Sequence, residues 1–342
     1  MECRPHRKWR RLLLPHNAIK FIELINHGFS GIRMTTLITY VLITPARNEA
    51  QFIELTLQSM VAQTYRPLKW IIVSDGSTDG TDEIVRKYAA DNSWIELLRM
   101  PERAERHFAG KVHAFNAGYA RTKDFNPDVI GNLDADVSIE PDHFQYLLSK
   151  FAENPDLGVG GSPFREGSLQ YDYRFSNIEN VWGGCQLFRR DCFDAIGGYT
   201  PVKGGGIDHI AVVSARMKSW KTRTFTDKVC IHHRAMNTAG QSVLSARFKL
   251  GAKDYSFGNH PLWEVFRTFY QMRNQPVVLG GLALGAGYFW SMVRRAEISV
   301  SSDLVDFTHR EQLQRLKKFV TRSRSISPAS FVTKSTTNRS PL

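Results

Sequence analysis

The chain has 342 residues, 42% apolar and 11% aromatic, which excludes a disordered or collagen-like polymer and allows one large α/β domain or two modest ones. Its net charge of +12 lies at the two ends, +5 in residues 1–33 and +7 in residues 308–342, with a neutral stretch between them. A nucleic-acid binder carries its positive charge on the folded body among aromatics, so no nucleic-acid partner is expected, and basic ends suit an anionic membrane surface.

Residues 1–35 read as a basic leader. Arg7 to Arg11 are followed by apolar stretches broken at Pro15 and Gly28. The apolar run is too short for a signal peptide and no small-residue cleavage site follows it. An amphipathic membrane-surface segment and a poorly ordered leader, upstream of a start at Met34, both fit; the second is favoured. The four cysteines, at 3, 185, 192 and 230, lack metal-knuckle spacing and are too few for a disulfide scaffold, so they read as reduced thiols in a cytosolic compartment.

From residue 36 the pattern is regular. Apolar β-rich runs (Leu37–Ile43, Trp70–Val73, Ile95–Leu98, Val129–Leu133) alternate with helical stretches (Ala50–Gln63, Thr81–Ala90, Val112–Ala120, Pro141–Phe151). That alternation predicts βαβ units and a mostly parallel sheet with ligands at the carboxyl ends of its strands. Residues 157–234 are richer in Gly and aromatics and predict mixed strands with two helices, near Asp191–Ile196 and Asp208–Ser219. Residues 36–240 thus form the expected main domain, 241–307 a C-terminal helical region, and 308–342 a basic tail expected to lack structure.

Residues 276–293 are an uncharged run of 18 followed by Arg294 and Arg295. As a helix they reach about 27 Å, marginal against a hydrocarbon core of about 30 Å. Arg273 lies on one side and the basic tail on the other, an arrangement at odds with a simple span. A span and a buried helix both remain open, but a helix lying in or dipping into one leaflet fits the flanks best.

Three loops carry candidate chemistry. Thr44-Pro45-Ala46-Arg47-Asn48-Glu49 follows the first strand as a stiff polar loop facing the ligand crevice, or as an ordinary strand-to-helix turn. Ser74-Asp75-Gly76-Ser77-Thr78-Asp79-Gly80-Thr81 follows the second. Asp79 or Thr81 suits a helix cap there, whereas Asp75 stands where a base N–H can be accepted. Asn132-Leu133-Asp134-Ala135-Asp136 ends the fourth apolar run; two carboxylates there can hold a hard divalent cation and through it a diphosphate, or form a plain acidic turn. No GxGxxG follows the first strand, which argues against a dinucleotide site.

Taken in order, these loops, then GKVHAFNAGYA and GGCQLFRRDCFDAIGGY (183–199), resemble the family 2 nucleotide-sugar glycosyltransferases of GT-A fold, over about Leu37 to Arg234. The resemblance implies an α/β fold of Rossmann-like mixed central sheet with flanking helices; a C-terminal helical membrane-associating segment would follow it. It implies that Pro45, Arg47 and Glu49 border the nucleotide, that Asp75 pairs with the uracil edge, and that Lys111 and Asn116, with Gly110, line the nucleotide and sugar side. Lys111 also suits a surface charge. Asp134 and Asp136 match the DxD pair, Asp136 being the better direct ligand of Mn2+ or Mg2+. Asp208 matches the second acid of the pair that supplies the general base, with Ile207 in place of the first; an N-cap is its ordinary alternative. His232 matches a histidine near metal or diphosphate, and Arg234 suits phosphate. Gly184, with Trp182 and Gly183, suits the floor of the sugar or acceptor pocket, although Trp182 also fits plain core.

The implied activity is inverting transfer of a sugar from a UDP-sugar donor to a glycan or lipid-linked acceptor, at the cytoplasmic side of the inner or plasma membrane. The QxxRW motif of processive synthases is absent. A nucleotidyltransferase would need a GxGTR-type loop after its first strand, where TPARNE stands. A non-catalytic membrane scaffold of the same fold is the remaining rival, and Asp134, Asp136 and Asp208 argue against it.

Overall fold

In β1 (Tyr40–Ala46) the side chains divide between two cores: Tyr40, Leu42 and Ala46 enter one, Val41 and Ile43 the other. An extended strand points successive residues to opposite faces, so this strand must be covered on both. The computed structural model describes residues 38–102, 109–167, 169–170, 177–202, 205–234, 242–273 and 275–325; the expected leader lies outside them. Helices α1 (Ile53–Val61), α2 (Thr81–Asp91) and α4 (His143–Glu153) cover the first face, and α3 (Ala109–Ala120), α5 (Arg190–Ala195) and α6 (Ile207–Met217) the second.

With β2 (Lys69–Ser74), β3 (Ile95–Arg99), β4 (Val129–Leu133), β6 (Leu157–Gly161), β9 (Cys185–Arg189) and β10 (Lys221–Thr224), the central sheet has seven strands in the order β10-β6-β9-β4-β1-β2-β3. Its pairs are parallel except those of β9, which runs antiparallel to both β4 and β6. That reversal matters for the site. Leu133, the last residue of β4, pairs with Cys185, the first of β9, so the Gly183-Gly184 approach meets the carboxyl end of β4. A smaller sheet of β5 (Val137–Ser138), β11 (Cys230–His232), β7 (Phe164–Glu166) and β8 (Leu169–Gln170) stands beside it.

Two boundaries differ from the sequence expectation. β1 runs on through Thr44, Pro45 and Ala46, which pair with Ile72, Val73 and Ser74, so the first loop begins only at Arg47. Helix α10 (Ser302–Ser325) crosses residue 308, giving the start of the expected tail a regular structure. Its Arg315 pairs with Glu179 and Glu311, and Glu311 also takes Arg216 of α6 at 2.8 Å.

Before it come α7 (Val243–Ser256), α8 (Pro261–Gln271) and α9 (Leu279–Val293). Of the apolar run 276–293 only these last fifteen residues are helical, and among the described residues no helix is long and apolar enough to cross a membrane. Helix α9 has two dissimilar faces. Gly280, Gly281, Leu284, Gly285, Gly287 and Tyr288 are buried; Leu279, Leu282, Ala286, Trp290 and Val293 form an exposed stripe. The glycines let backbones touch: a Cβ on Gly251 of α7 would strike the Leu284 carbonyl, and one on Gly287 the Phe248 carbonyl.

Candidate active site

At the carboxyl edge of the sheet a cavity of about 180 Å³ is lined by Lys111, Asp134, Trp182, Gly183, Gly184, Tyr199, Ile207 and Asp208, among others. Lys111 reaches it from the first turn of α3 and donates to Asp134 Oδ1 at 2.6 Å. Asn132 Nδ2 donates to the same oxygen at 2.9 Å and to the Gly183 carbonyl at 2.6 Å, and the Asp134 amide donates to the Gly184 carbonyl at 2.8 Å. These bonds tie the end of β4 to the start of β9. Burial opposes the charge on Lys111, but Asp134, with Asp208 and Asp136 beyond it, raises its pKa above the ordinary value.

Asp208 stands in the first turn of α6, after Gly206, whose φ of 93° is the left-handed conformation that glycine adopts without strain. A Cβ on Gly183 would lie 2.6 Å from Asp208 Cβ and 2.7 Å from its Oδ2, so only glycine there leaves this carboxylate room. A Cβ on Gly206 would lie 2.6 Å from the Phe257 ring and 3.1 Å from Lys253 Cε. The C-terminal helices therefore abut the loop that carries Asp208. Burial lowers the pKa of Lys253, opposed by Asp208 and Asp254.

The second carboxylate of the DxD pair faces a different group. Asp136 Oδ2 lies 3.0 Å from Arg234 Nε and 3.5 Å from His232 Nε2, and His232 Nδ1 lies 3.5 Å from Glu166. Burial would raise the pKa of Asp136; His232 and Arg234 together bring it below the usual carboxylate value. Its hydrogen bond in turn raises that of His232. Arg234 also pairs with Glu49 and lies 5.1 Å above the Phe52 ring. Glu49 is pushed up to about 7 by burial, against the pull of Arg234.

On the far side of β1, Arg47 Nη1 lies 3.8 Å from Asp75, and the Asp75 amide donates to the Ala46 carbonyl at 2.8 Å. Asp79 acts as a latch, accepting from the Ala50 amide and from the Thr81 amide, while Gly80 takes the N-cap position of α2. Pro45 lies within β1 between these groups.

Nearly all the sequence candidates thus gather along one edge. Lys111, Asp134, Gly184 and Asp208 share the cavity; Glu49, Asp136 and His232 form an ion network; Pro45, Arg47 and Asp75 lie at the ends of β1 and β2. Asn116 is the exception. Five residues beyond Lys111 puts it about 140° around α3, and it is exposed and does not line the cavity. Trp182 lines the cavity and also packs, its ring stacked on Phe164 at 4.4 Å and edge-on to His232 at 5.6 Å. Sequence reasoning quoted Asn132 and Tyr199 within its motifs without giving them a role, and it missed Glu166 and Lys253. Those two lie in no recognisable pattern, since each is brought in by strand register or by packing of a distant element.

Asp136 and His232 could offer a carboxylate oxygen and an imidazole nitrogen to a divalent cation, with Glu166 3.5 Å from the other ring nitrogen. Arg234 lies against the same carboxylate oxygen, so a cation there would share it or displace the guanidinium.

Residues 41–201 match the profile of "Glycosyl transferase family 2". The glucosyl-dolichyl phosphate glucuronosyltransferase of Haloferax volcanii is 24% identical over 241 residues, 63% of this chain and 69% of that protein. The poly-beta-1,6-N-acetyl-D-glucosamine synthase of Staphylococcus aureus is 34% identical over 117 residues, and the match spans only 26% of its length. Among solved structures, the mannosyltransferase PcManGT of Pyrobaculum calidifontis, in complex with GDP-Man and Mn2+, superposes with a TM-score of 0.51 over 90% of this chain and 89% of its own, at 17% identity. GalNAc-T7 with UDP, GalNAc and Mn2+ gives 0.52 over 86% and 58%, at 14% identity. The fold is GT-A, and residues 41–201, a little under half of the chain, are similar to the family 2 glycosyl transferases.

Proposed function

We propose that this glycosyltransferase moves a sugar, with inversion, from a UDP-sugar to a hydroxyl of a glycan or lipid-linked acceptor presented at a membrane surface. The observation that carries the chemistry is the cavity that holds Asp208 opposite Lys111 and Asp134. Among the described residues that line the cavity, Asp208 is the only carboxylate besides Asp134, and Asp134 is already engaged by Lys111 and Asn132. In this reading Asp208 takes the acceptor proton as the acceptor oxygen attacks the anomeric carbon, and the bond from that carbon to the diphosphate breaks on the opposite face. Lys111 and Arg234 supply positive charge near the diphosphate, Asp75 accepts from the base, and Trp182 offers a ring face to a sugar. Asp136 and His232 would hold Mn2+ or Mg2+, which when bound neutralises charge on the leaving UDP.

Support for a membrane-held acceptor comes from the outward faces of α8 and α9. Leu262, Val265 and Phe269 of α8 are exposed at i, i+3 and i+7, beside the α9 stripe, and Arg273, Arg294 and Arg295 are exposed at the helix ends. Apolar side chains with a cationic rim suit a helix in the plane of an anionic interface. The Haloferax relative is named for a dolichyl phosphate substrate, in line with such an acceptor.

The reading is tested by UDP or GDP release across a panel of nucleotide sugars with Mn2+ or Mg2+. Asp208→Asn is expected to lower acceptor-dependent turnover by about 10²–10⁴-fold while leaving donor binding intact. Turnover within a few-fold of wild type would sink the base assignment. Release from a GDP-sugar alone would sink the UDP assignment and leave the rest.

A further inference from the structure

Three side chains that the transfer reaction does not use converge behind the active site. His143 opens α4, Cys185 opens β9 and Cys230 opens β11, and all three are fully buried in the seam between the two sheets. His143 Nε2 lies 3.9 Å from Cys185 Sγ and 3.7 Å from Cys230 Sγ, and the three donor atoms fall within 4.8 Å of one another. A cysteine buried as a small apolar group needs no polar neighbour, yet here two sulfurs and one imidazole nitrogen face a common point. Neither sulfur is in a disulfide. The other ring nitrogen, His143 Nδ1, is buried with no hydrogen-bond partner among the described residues, so the ring's polar contacts lie on the sulfur side.

We propose that His143, Cys185 and Cys230 supply three ligands to one thiophilic d10 cation, zinc(II) by preference. Ligands at about 2.3 Å for sulfur and about 2.0 Å for nitrogen around one centre put nitrogen and sulfur roughly 3.5–3.8 Å apart, within a few tenths of an ångström of the distances here. Thiolate and imidazole donors select zinc or copper(I) over magnesium, calcium or manganese. Binding releases the two thiol protons to solvent and involves no change of oxidation state. Two thiolates and a neutral imidazole carry two negative charges, which a divalent ion cancels and copper(I) does not; in a fully buried site that balance favours zinc.

The site would brace the catalytic edge from behind. Cys185 pairs with Leu133, the residue before Asp134, and Cys230 stands two residues before His232 on β11. A bound ion would join β9 to β11 and so fix Asp134, whose amide is held by Gly184, with respect to His232.

The full-length wild-type protein, purified without added metal and dialysed against a weak chelator, is to be assayed by mass spectrometry for metal and by X-ray absorption for its ligand shell. The expected result is one zinc per chain in a shell of two sulfurs and a histidine nitrogen, retained in Asp136→Ala and lost in Cys230→Ser. Copper in the same shell supports the site with the other ion. Refolding with cobalt should give a thiolate charge-transfer band. Should Cys230→Ser fail to fold, the wild-type absorption spectrum decides alone. The proposal is overturned by a folded wild-type protein that holds no stoichiometric metal even after refolding with zinc, by a shell of oxygen and nitrogen only, or by a Cys185–Cys230 disulfide in freshly purified protein.

Discussion

Gly183 sets the position of Asp208 as firmly as any hydrogen bond does. A methyl group there would sit 2.6 Å from the aspartate Cβ, inside contact distance, and the start of β9 cannot retreat because the Gly183 carbonyl is held by Asn132. Gly183→Ala should therefore push the carboxylate out of line, at an overpacking cost of about 1–3 kcal/mol. Steady-state kinetics should show kcat falling by about tenfold or more with the donor Kd little changed; an unaltered kcat would mean that the carboxylate's placement is not limiting. The acids were legible in the sequence because apolar strands ending in Asp advertise a sheet edge. Their partners were not. Glu166 reaches His232 only because β7 pairs with β11, a register 66 residues apart that no local pattern encodes.

Helix α8 buries a glutamate that burial and nearby Asp254, against Arg267, push up to about 8. Glu264 is wholly buried and neutral in the fold at pH 7, whereas in the unfolded chain it ionises near 4.5. The folded state then binds more protons between these values, so this group's contribution is full below about pH 4.5 and is lost as pH rises toward 8, at up to about 1.4 kcal/mol per pH unit. Glu264→Gln removes the ionisation, and its thermal melting should gain on wild type progressively from pH 6 to 8; parallel pH profiles would refute the assignment. The same element scale shows where patterning misled. Residues 276–293 look uniformly apolar as letters, but glycine and leucine differ in what they do: the glycines of α9 admit α7 and α8 to its backbone, and the large residues face outward. Strands β1 to β4 were readable because each is a short run rich in apolar and β-branched residues. The reversed β9 was not, since direction leaves no trace in composition, and α10 was hidden because its charges read as a tail when they are in part ion-pair partners of Glu179 and Glu311.

For the whole molecule, the outward apolar stripe and the basic ends make one test together. The protein should float with anionic vesicles, and Leu282→Glu with Val293→Glu, both fully on the exposed stripe, should release it without lowering its melting temperature appreciably. Flotation of the double variant at wild-type levels would exclude this face. A different consequence follows from Arg234, which stands between Glu49 and Asp136. Glu49 and Asp136 thus already have a guanidinium of the chain's own as their partner. On the proposed function, metal and donor would then arrive as an exchange of partners: a cation alone must share Asp136 with a guanidinium or evict it, while a cation with a diphosphate gives that guanidinium somewhere to go. Assembly should then be ordered and mutually reinforcing, with Mn2+ binding weakly by itself and more tightly when UDP is present, the two affinities linked by the same factor in both directions. Calorimetric titration of Mn2+ with and without UDP would reveal that factor, and in Arg234→Ala, where nothing must be evicted, it should shrink toward one.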